Sequence, residues 1–418
     1  MTGTVSSPPK GWRSAVITDS KGAALATASN ALVIAGNDPE LRSTFARNVF
    51  TAEMVLTQPL PHAVSSIAPQ PAGYPRMWTD SDIFLMQAYL HRFYSSKFSF
   101  EMAGRAMAAV AATQSFHPVL QWIESQTWDG TPRIDGWLVN TFNCADTPYI
   151  RAIGGKFLIA GIRRVRHPGC QHDTMLVIEG PQGIRKSTAF RTLFGDPWFT
   201  DDMPHDLKNK DSPQALLGKW GIEFSEVAQI TSSKAEIETT KAFLSRRVDR
   251  FRPPYGRGFI EQPRQGVFVG TTNRTDWLVD ETGNRRILPA YGDHADPEWV
   301  AVNRDQLWAE AAHREATGES IWLDTHDLQQ SAAVEQERRM EDDPWAPAIR
   351  TYLASKFIPV EIGDVLSGIG VAVQHQDKRA QMRVGRVIRG MGWSRVTNWD
   401  ANTQKMHKTW LPPNIPPP

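Results

Sequence analysis

The sequence predicts an α/β protein with a helical segment ahead of its core and a small helix-and-hairpin unit behind it. Three observations predict this. From Met175 to about Leu323, short apolar runs alternate with helical patterns. The first run ends in a glycine-punctuated loop, LVIEGPQGIRKST at 176–188, before a Lys-Ser pair that opens a helix. Residues 345–412 then read as a helix, a basic helix and a hairpin.

Taken in order, residues 1–78 form a tail and linker with a short ordered segment. The first 20 residues are rich in Ser, Thr, Pro and Gly and read as a loose end. Ala24–Leu56 is expected to be ordered, with a helix around Pro39–Val49 capped by Asn37 or Asp38. Residues 57–76 carry Pro59, Pro61, Pro69, Pro71 and Pro75, the composition of a linker. Residues 79–170 are expected to be a helical domain. Ile83, Met86, Leu90 and Phe93 share one face, Glu101–Thr113 is rich in Ala and Met, and His117-Pro118 opens a helix over Val119–Ser125. Tyr149–Arg166 is a further helix, stopped by Pro168-Gly169. The α/β core spans 171–325, with strands at Met175–Ile178, Trp220–Phe224 and Val267–Thr271. A polar helix over Thr325–Met340 reads as a linker at 326–344. The tail, 345–418, holds helices at Ile362–Ser367 and Gln376–Met391 and a hairpin over Trp393–Trp410.

Composition excludes several classes. Of 418 residues, 41% are hydrophobic and 10% aromatic, enough for packed cores. Forty-six basic residues against 45 acidic ones leave a net charge of +1, so any nucleic-acid contact must come from local patches. Two cysteines, Cys144 and Cys170, are too few for a disulfide framework or a zinc site and suit a reducing cytoplasm. No stretch approaches the ~18 apolar residues of a membrane span, and no membrane partner is expected. Thr27, Ser29 and Asn30 interrupt the mildly apolar Ala23–Gly36, which argues against a secretory leader.

The loop Gly180, Pro181, Gln182, Gly183, Ile184, Arg185, Lys186, Ser187, Thr188 has the layout of a phosphate-binding loop. Without bulky Cβ atoms a sharp loop lets backbone N–H groups converge on phosphate oxygens, and the helix N-terminus adds partial positive charge. Lys186 is placed to reach the β- and γ-phosphates of a nucleoside triphosphate, and Ser187 to hold Mg²⁺. Arg185 occupies the position where the strict pattern has its second glycine. The alternative is an ordinary strand–turn–helix connection.

Hydrolysis also needs a metal-holding carboxylate and a group that polarises water. Glu223 within the second strand and Glu226 at its end supply candidates for both. Glu226 suits water better, because strand termini face the crevice where ligands bind. Asn273, at the tip of VFVGTTN, is placed to bond water or the γ-phosphate. Arg246, Arg247, Arg250, Arg252 and Arg257 are interleaved with Phe251 and Tyr255, a mixture that suits single-stranded nucleic acid. Arg285 and Arg286 follow a turn, and arginine forks suit phosphate.

The order HPV, WDG, PGC…D, LVIEGPQGxxKST, WFTD, KD, LxGKWxxE, KAFLS…DRFRPPYGR, PRQxVFVGTTN, DETGNRR and RDQLWAEA resembles the virulence-associated E family, from about Arg47 to Leu323. These are P-loop ATPases of phages and mobile islands, similar to superfamily 3 helicases and the AAA+ class. The resemblance implies a homo-hexameric, DNA-dependent ATPase that uses ATP and Mg²⁺ to unwind or remodel DNA in replication. By motif it implies Lys186 and Ser187 as the phosphate- and magnesium-binding pair, Glu223 and Glu226 in the acidic motif, Asn273 as the sensor, and Arg285 and Arg286 as candidate arginine fingers. An arginine at 185 either adds a phosphate contact or narrows the loop.

Beyond the resemblance, the tail suits a winged helix-turn-helix with Arg379, Arg383 and Arg386 near DNA. The leading expectation is therefore a helicase-type ring. A replication initiator that binds nucleotide without productive hydrolysis is the alternative. A small-molecule P-loop kinase leaves the Arg285-Arg286 pair and the basic tail unexplained.

Overall fold

The computed structural model describes residues 11–65, 73–204, 206–209, 212–231, 233–252, 259–278, 284–340, 343–400 and 405–413. They form two compact units, Met1–Arg339 and Met340–Pro418.

The first unit begins with an α/β layer. Helix α1 (Ala28–Asn37) is capped by Thr27, whose hydroxyl accepts from the Asn30 N–H. Strands β1 (Phe45–Asn48) and β2 (Glu53–Leu56) pair antiparallel, with Phe45 opposite Leu56. After α2 (His62–Ser65), β3 (Arg76–Met77) adds to β2. Helices α3 (Asp80–Phe93) and α4 (Phe100–Thr113) follow, and β4 (Ser115–Phe116) returns parallel to β1. Ile34, Phe45, Leu56, Leu90 and Met107 are buried in one core.

Two sequence expectations change here. The helix expected over Pro39–Val49 is a turn followed by β1. Asp38 closes α1 by donating its N–H to the Ile34 carbonyl, so it ends a helix instead of starting one. Pairing on both edges of β1 and full burial of Phe45 override the local helical signal. The helical domain expected over 79–170 is divided between two cores, because α3 and α4 pack on the first layer and the helices after them do not.

Helices α5 (Pro118–Glu124), α6 (Trp137–Phe142) and α7 (Pro148–Arg166) belong to the second core, with the strands that flank the loop 180–185. That core surrounds a five-stranded parallel sheet of β5 (Met175–Glu179), β6 (Phe199–Thr200), β7 (Gly221–Ser225), β10 (Val267–Thr272) and β11 (Ile287–Tyr291), in the order β11-β5-β10-β7-β6. Helix α8 (Lys186–Phe194) follows β5. Between β6 and β10 the chain forms α9 (Ser212–Ala215), α10 (Val227–Ile230), α11 (Lys234–Leu244) and an antiparallel hairpin of β8 (Val248–Phe251) and β9 (Ile260–Pro263). The sequence reading omitted β11, whose Pro289 argues against an interior strand; β11 lies at the sheet edge, where proline is tolerated.

Helices α12 (Pro297–Ala316) and α13 (His326–Glu337) complete the unit. Trp308 of α12 stacks 3.9 Å from Trp220, directly before β7, and both are fully buried. A Cβ at Gly161 of α7 would lie 2.9 Å from the Trp308 ring, which is why a glycine sits there. The segment expected as a linker helix is integral: Ala332 is buried in this core and Gln336 donates to the Ile287 carbonyl at 2.8 Å.

The second unit contains α14 (Ala346–Leu353), α15 (Ile362–Gly368), α16 (Lys378–Gly390) and a hairpin of β12 (Ser394–Asp400) and β13 (Lys405–Leu411). Ile349, Val365, Leu366, Val384, Ile388 and Trp410 form its core. No helix among the described residues is long and apolar enough to cross a membrane.

Candidate nucleotide-binding site

Strand β5 is buried along its whole length and delivers the loop 180–185 to the carboxyl end of the sheet, where open parallel sheets bind ligands. The glycine at 180 is forced by packing, since a Cβ there would overlap the Gly292 carbonyl oxygen. Arg185 has φ 73°, the left-handed conformation that explains the glycine of the strict pattern. A non-glycine residue there costs about 1–2 kcal/mol. Its guanidinium forms a fork with Glu298, at 2.7 and 3.1 Å, in the first turn of α12. Arg185 is thus engaged by a surface carboxylate, and the hydrogen bonds it donates hold the Glu298 carboxyl below the usual range.

Lys186 is buried and folds back on the loop, donating to the carbonyls of Gly180 and Pro181 at 2.8 and 2.9 Å. Burial pushes its ammonium pKa down, against the attraction of Glu226 and Glu223. Ser187 donates to Glu223 Oε1 at 2.7 Å, and Thr271 of β10 donates to the same oxygen at 2.6 Å. Glu223 is fully buried, and its second oxygen, Oε2, has no partner among the described residues. Burial raises its pKa, with the two hydroxyl hydrogen bonds opposing.

An unpartnered carboxylate oxygen beside the loop serine is an expensive arrangement for a protein alone. It fits a hard divalent cation, which takes oxygen ligands and leaves positions for water and phosphate. Among the described residues no three His, Cys, Asp or Glu side chains gather into a metal cage; Mg²⁺ shared with a nucleotide requires none.

Glu226 is exposed and has φ 57°, ψ 58°, a left-handed backbone directly before α10. With Ser187, Thr271, Thr272 and Asn273 it lines a cleft of about 410 Å³. The fold therefore brings Lys186, Ser187, Glu223, Glu226 and Asn273 to one place. Thr271, absent from the candidate set, joins them as the second donor to Glu223. Its place at the end of VFVGTTN was visible in the sequence, but its partner was not.

The arginines fall elsewhere. Arg285 and Arg286 precede β11 at the amino end of the sheet, and Arg286 pairs with Asp173 at 2.8 Å. They line a separate cavity of about 510 Å³ with Lys156 and Trp322. Ile287 is in register with Met175, four residues before Glu179, so the pair lies about 13 Å along the strand from the loop. On β8, Arg250 lies over Phe259; in the connection from α11 to β8, Arg246 lies over Phe243 and Arg247 donates to the Gly169 carbonyl. Arg252 is exposed, and Arg257 lies outside the described residues. In the second unit Arg379 is exposed. Arg383 pairs with Asp343 at 2.8 Å and lies 4.1 Å over Trp345. It therefore anchors the unit internally; the side chain of Arg386 lies outside the described set.

The sequence profile of the virulence-associated protein E-like domain matches residues 123–341. Among solved structures, the apo structure of the NrS-1 C terminal region (305-718) is similar with a TM-score of 0.45 at 10% identity, covering 87% of this chain and 95% of that one. An A form apo structure of the same region has a TM-score of 0.41 at 11% identity, covering 83% and 88%. No curated protein sequence matches the chain.

Two outcomes follow from the geometry. Arg185→Gly and Arg185→Ala both lose the Glu298 pair, but alanine keeps the left-handed strain. Denaturant unfolding should find the glycine variant more stable by about 1 kcal/mol; equal stabilities would show that residue 185 carries no strain. Glu223 holds its proton more tightly folded than unfolded, so its contribution is present at low pH and lost as pH rises through its raised folded pKa. In metal-free protein the thermal midpoint of Glu223→Gln should therefore gain on the parent's as pH rises from about 5 to about 7.5. Parallel profiles would mean the buried charge is already compensated.

Proposed function

The chain belongs to the virulence-associated protein E-like domain family, and from that premise we propose that it is a DNA-dependent ATPase of helicase type serving replication of a phage or mobile element, and that it works as a ring. One observation carries the reading: Ser187 and the half-partnered Glu223 meet behind a loop whose lysine is held by exchangeable carbonyl contacts.

In this reading the N–H groups of 182–188 and the α8 N-terminus hold the β- and γ-phosphates of ATP. Lys186 exchanges the Gly180 and Pro181 carbonyls for phosphate oxygens, a stronger charge-assisted contact. Ser187 and Glu223 Oε2 would hold Mg²⁺, which would supply neutralisation of the charge that develops on the phosphates in transfer. Glu226, exposed in the cleft, accepts the proton of the attacking water, and Asn273 orients that water. The strained backbone at Glu226 fits such a role, since strain of this kind clusters at active sites.

Arg285 and Arg286 lie at the far end of the sheet, out of reach of their own loop. A neighbour in a ring is the device that would bring them to a γ-phosphate, where a trans arginine stabilises the transition state. Arg250, on β8 over Phe259, and Arg246, just before that strand, are the favoured contacts to single-stranded DNA. The helix-and-hairpin tail is read as a winged-helix unit that meets DNA through Arg379, with Arg383 in support.

ATP turnover measured with and without single-stranded DNA tests the proposal. The parent should turn over faster with DNA, and Lys186→Ala should lose at least about 10²-fold, the scale of removing a transition-state charge contact. Nucleotide binding with no turnover would favour an initiator, and turnover indifferent to DNA would exclude a helicase. Mixing inactive Lys186→Ala with inactive Arg286→Ala subunits should restore part of the activity; no recovery at any ratio would exclude a shared site.

A further inference from the structure

Glu179, the residue immediately before the loop, is absorbed by none of these roles. Its carboxylate is 2% exposed, and Oε1 accepts from Trp277 Nε1 at 2.6 Å and from Arg339 Nε at 2.5 Å. Arg339 also donates to the Glu335 carbonyl and carboxylate, at 2.6 and 2.5 Å. The backbone closes the arrangement, because the Arg339 carbonyl accepts from the N–H groups of Trp277 and Leu278 at 3.1 and 2.9 Å. The Trp277 carbonyl in turn accepts from the Thr231 hydroxyl at 3.1 Å. Thr231 directly follows α10, the short helix that Glu226 opens.

This three-way joint touches each moving part expected of the site. Glu179 carries the phosphate loop, Trp277 lies four residues after Asn273, and Thr231 ends the helix behind Glu226. Arg339 is the last residue of the first compact unit, so the connection to the second unit starts at the joint. Burying this ion pair brings little net stability, since desolvation offsets most of the attraction and an apolar packing would serve a static core as well. Its geometry instead ties Arg339, just after α13, to the strand that carries the loop.

We propose that Glu179, Trp277 and Arg339 are positioning residues that couple nucleotide occupancy at the phosphate loop to the connector into the second unit. The proposal rests on the nucleotide reading above.

Hydrogen exchange on the full chain, with Mg²⁺ and a non-hydrolysable ATP analogue, tests it, with analogue binding measured separately by equilibrium dialysis. In the parent the analogue should change exchange at 335–340 at least about fivefold, the low end of measured couplings. Trp277→Phe removes one donor and Arg339→Lys removes the fork while keeping the charge. Each should still bind the analogue and should lose the response at 335–340. A static staple would give the same exchange with and without analogue. Binding in the parent without a response at 335–340 would overturn the coupling and leave the nucleotide site standing, as would a full response in both variants. Absence of binding in the parent would overturn the nucleotide reading itself, and the coupling with it.

Discussion

A carboxylate in the interior of a parallel sheet has to be matched by donors, and Glu223 imposes that requirement on everything around it. Glu223 is fully buried, so water cannot solvate the side chain. One oxygen is matched by two hydroxyls, Ser187 from the start of α8 and Thr271 from the end of β10. Three elements distant in sequence are thereby held in register at the carboxyl end of the sheet. The other oxygen stays unmatched, which is tolerable where a cation completes the set.

Keeping Ser187 there requires that α8 not shift, and α12 supplies the brace. Glu298 holds Arg185 at the amino end of α8. Six to ten residues further along α12, Arg304 and Trp308 donate to the Leu193 and Phe194 carbonyls at its carboxyl end. The rise of 1.5 Å per residue makes this separation match the length of α8, so the two helices run side by side. The cationic Arg304 at this helix carboxyl end also suits its dipole. Arg185, the departure from the strict loop pattern, is therefore one end of a clasp.

The two ends of the sheet carry different chemistry. The carboxyl end gathers the lysine, the acids and Asn273, while the amino end carries Arg285 and Arg286 beside a separate cavity. A single copy holds these groups apart, which gives the ring in the proposed function its physical motive. Several arginines that form charge runs in the sequence are occupied in the fold. Arg247 caps a carbonyl and Arg383 binds Asp343 over Trp345, so the surface left for a polyanion is narrower than the sequence suggests.

The sequence by itself determined the loop, the strands that lead into it and the succession of helices and hairpin in the tail. Those features are local: glycine placement, apolar runs, caps and turns act within a few residues, and the strands read at 175, 220 and 267 form where expected. The Lys186-Ser187 pair and the acids of LLGKWGIEFSE were legible for the same reason. What the tertiary structure alone decided was partnership. Local signals placed a helix at 39–49, yet pairing on both edges of β1 made a strand there. Helices α5 to α7 read as a separate domain and instead form part of the core beneath the loop, because Gly161 admits the Trp308 ring. That Arg185 turns to Glu298, that Thr271 serves Glu223, and that Glu179 reaches Arg339 160 residues away depends on long-range packing, which side-chain spacing along the chain does not encode.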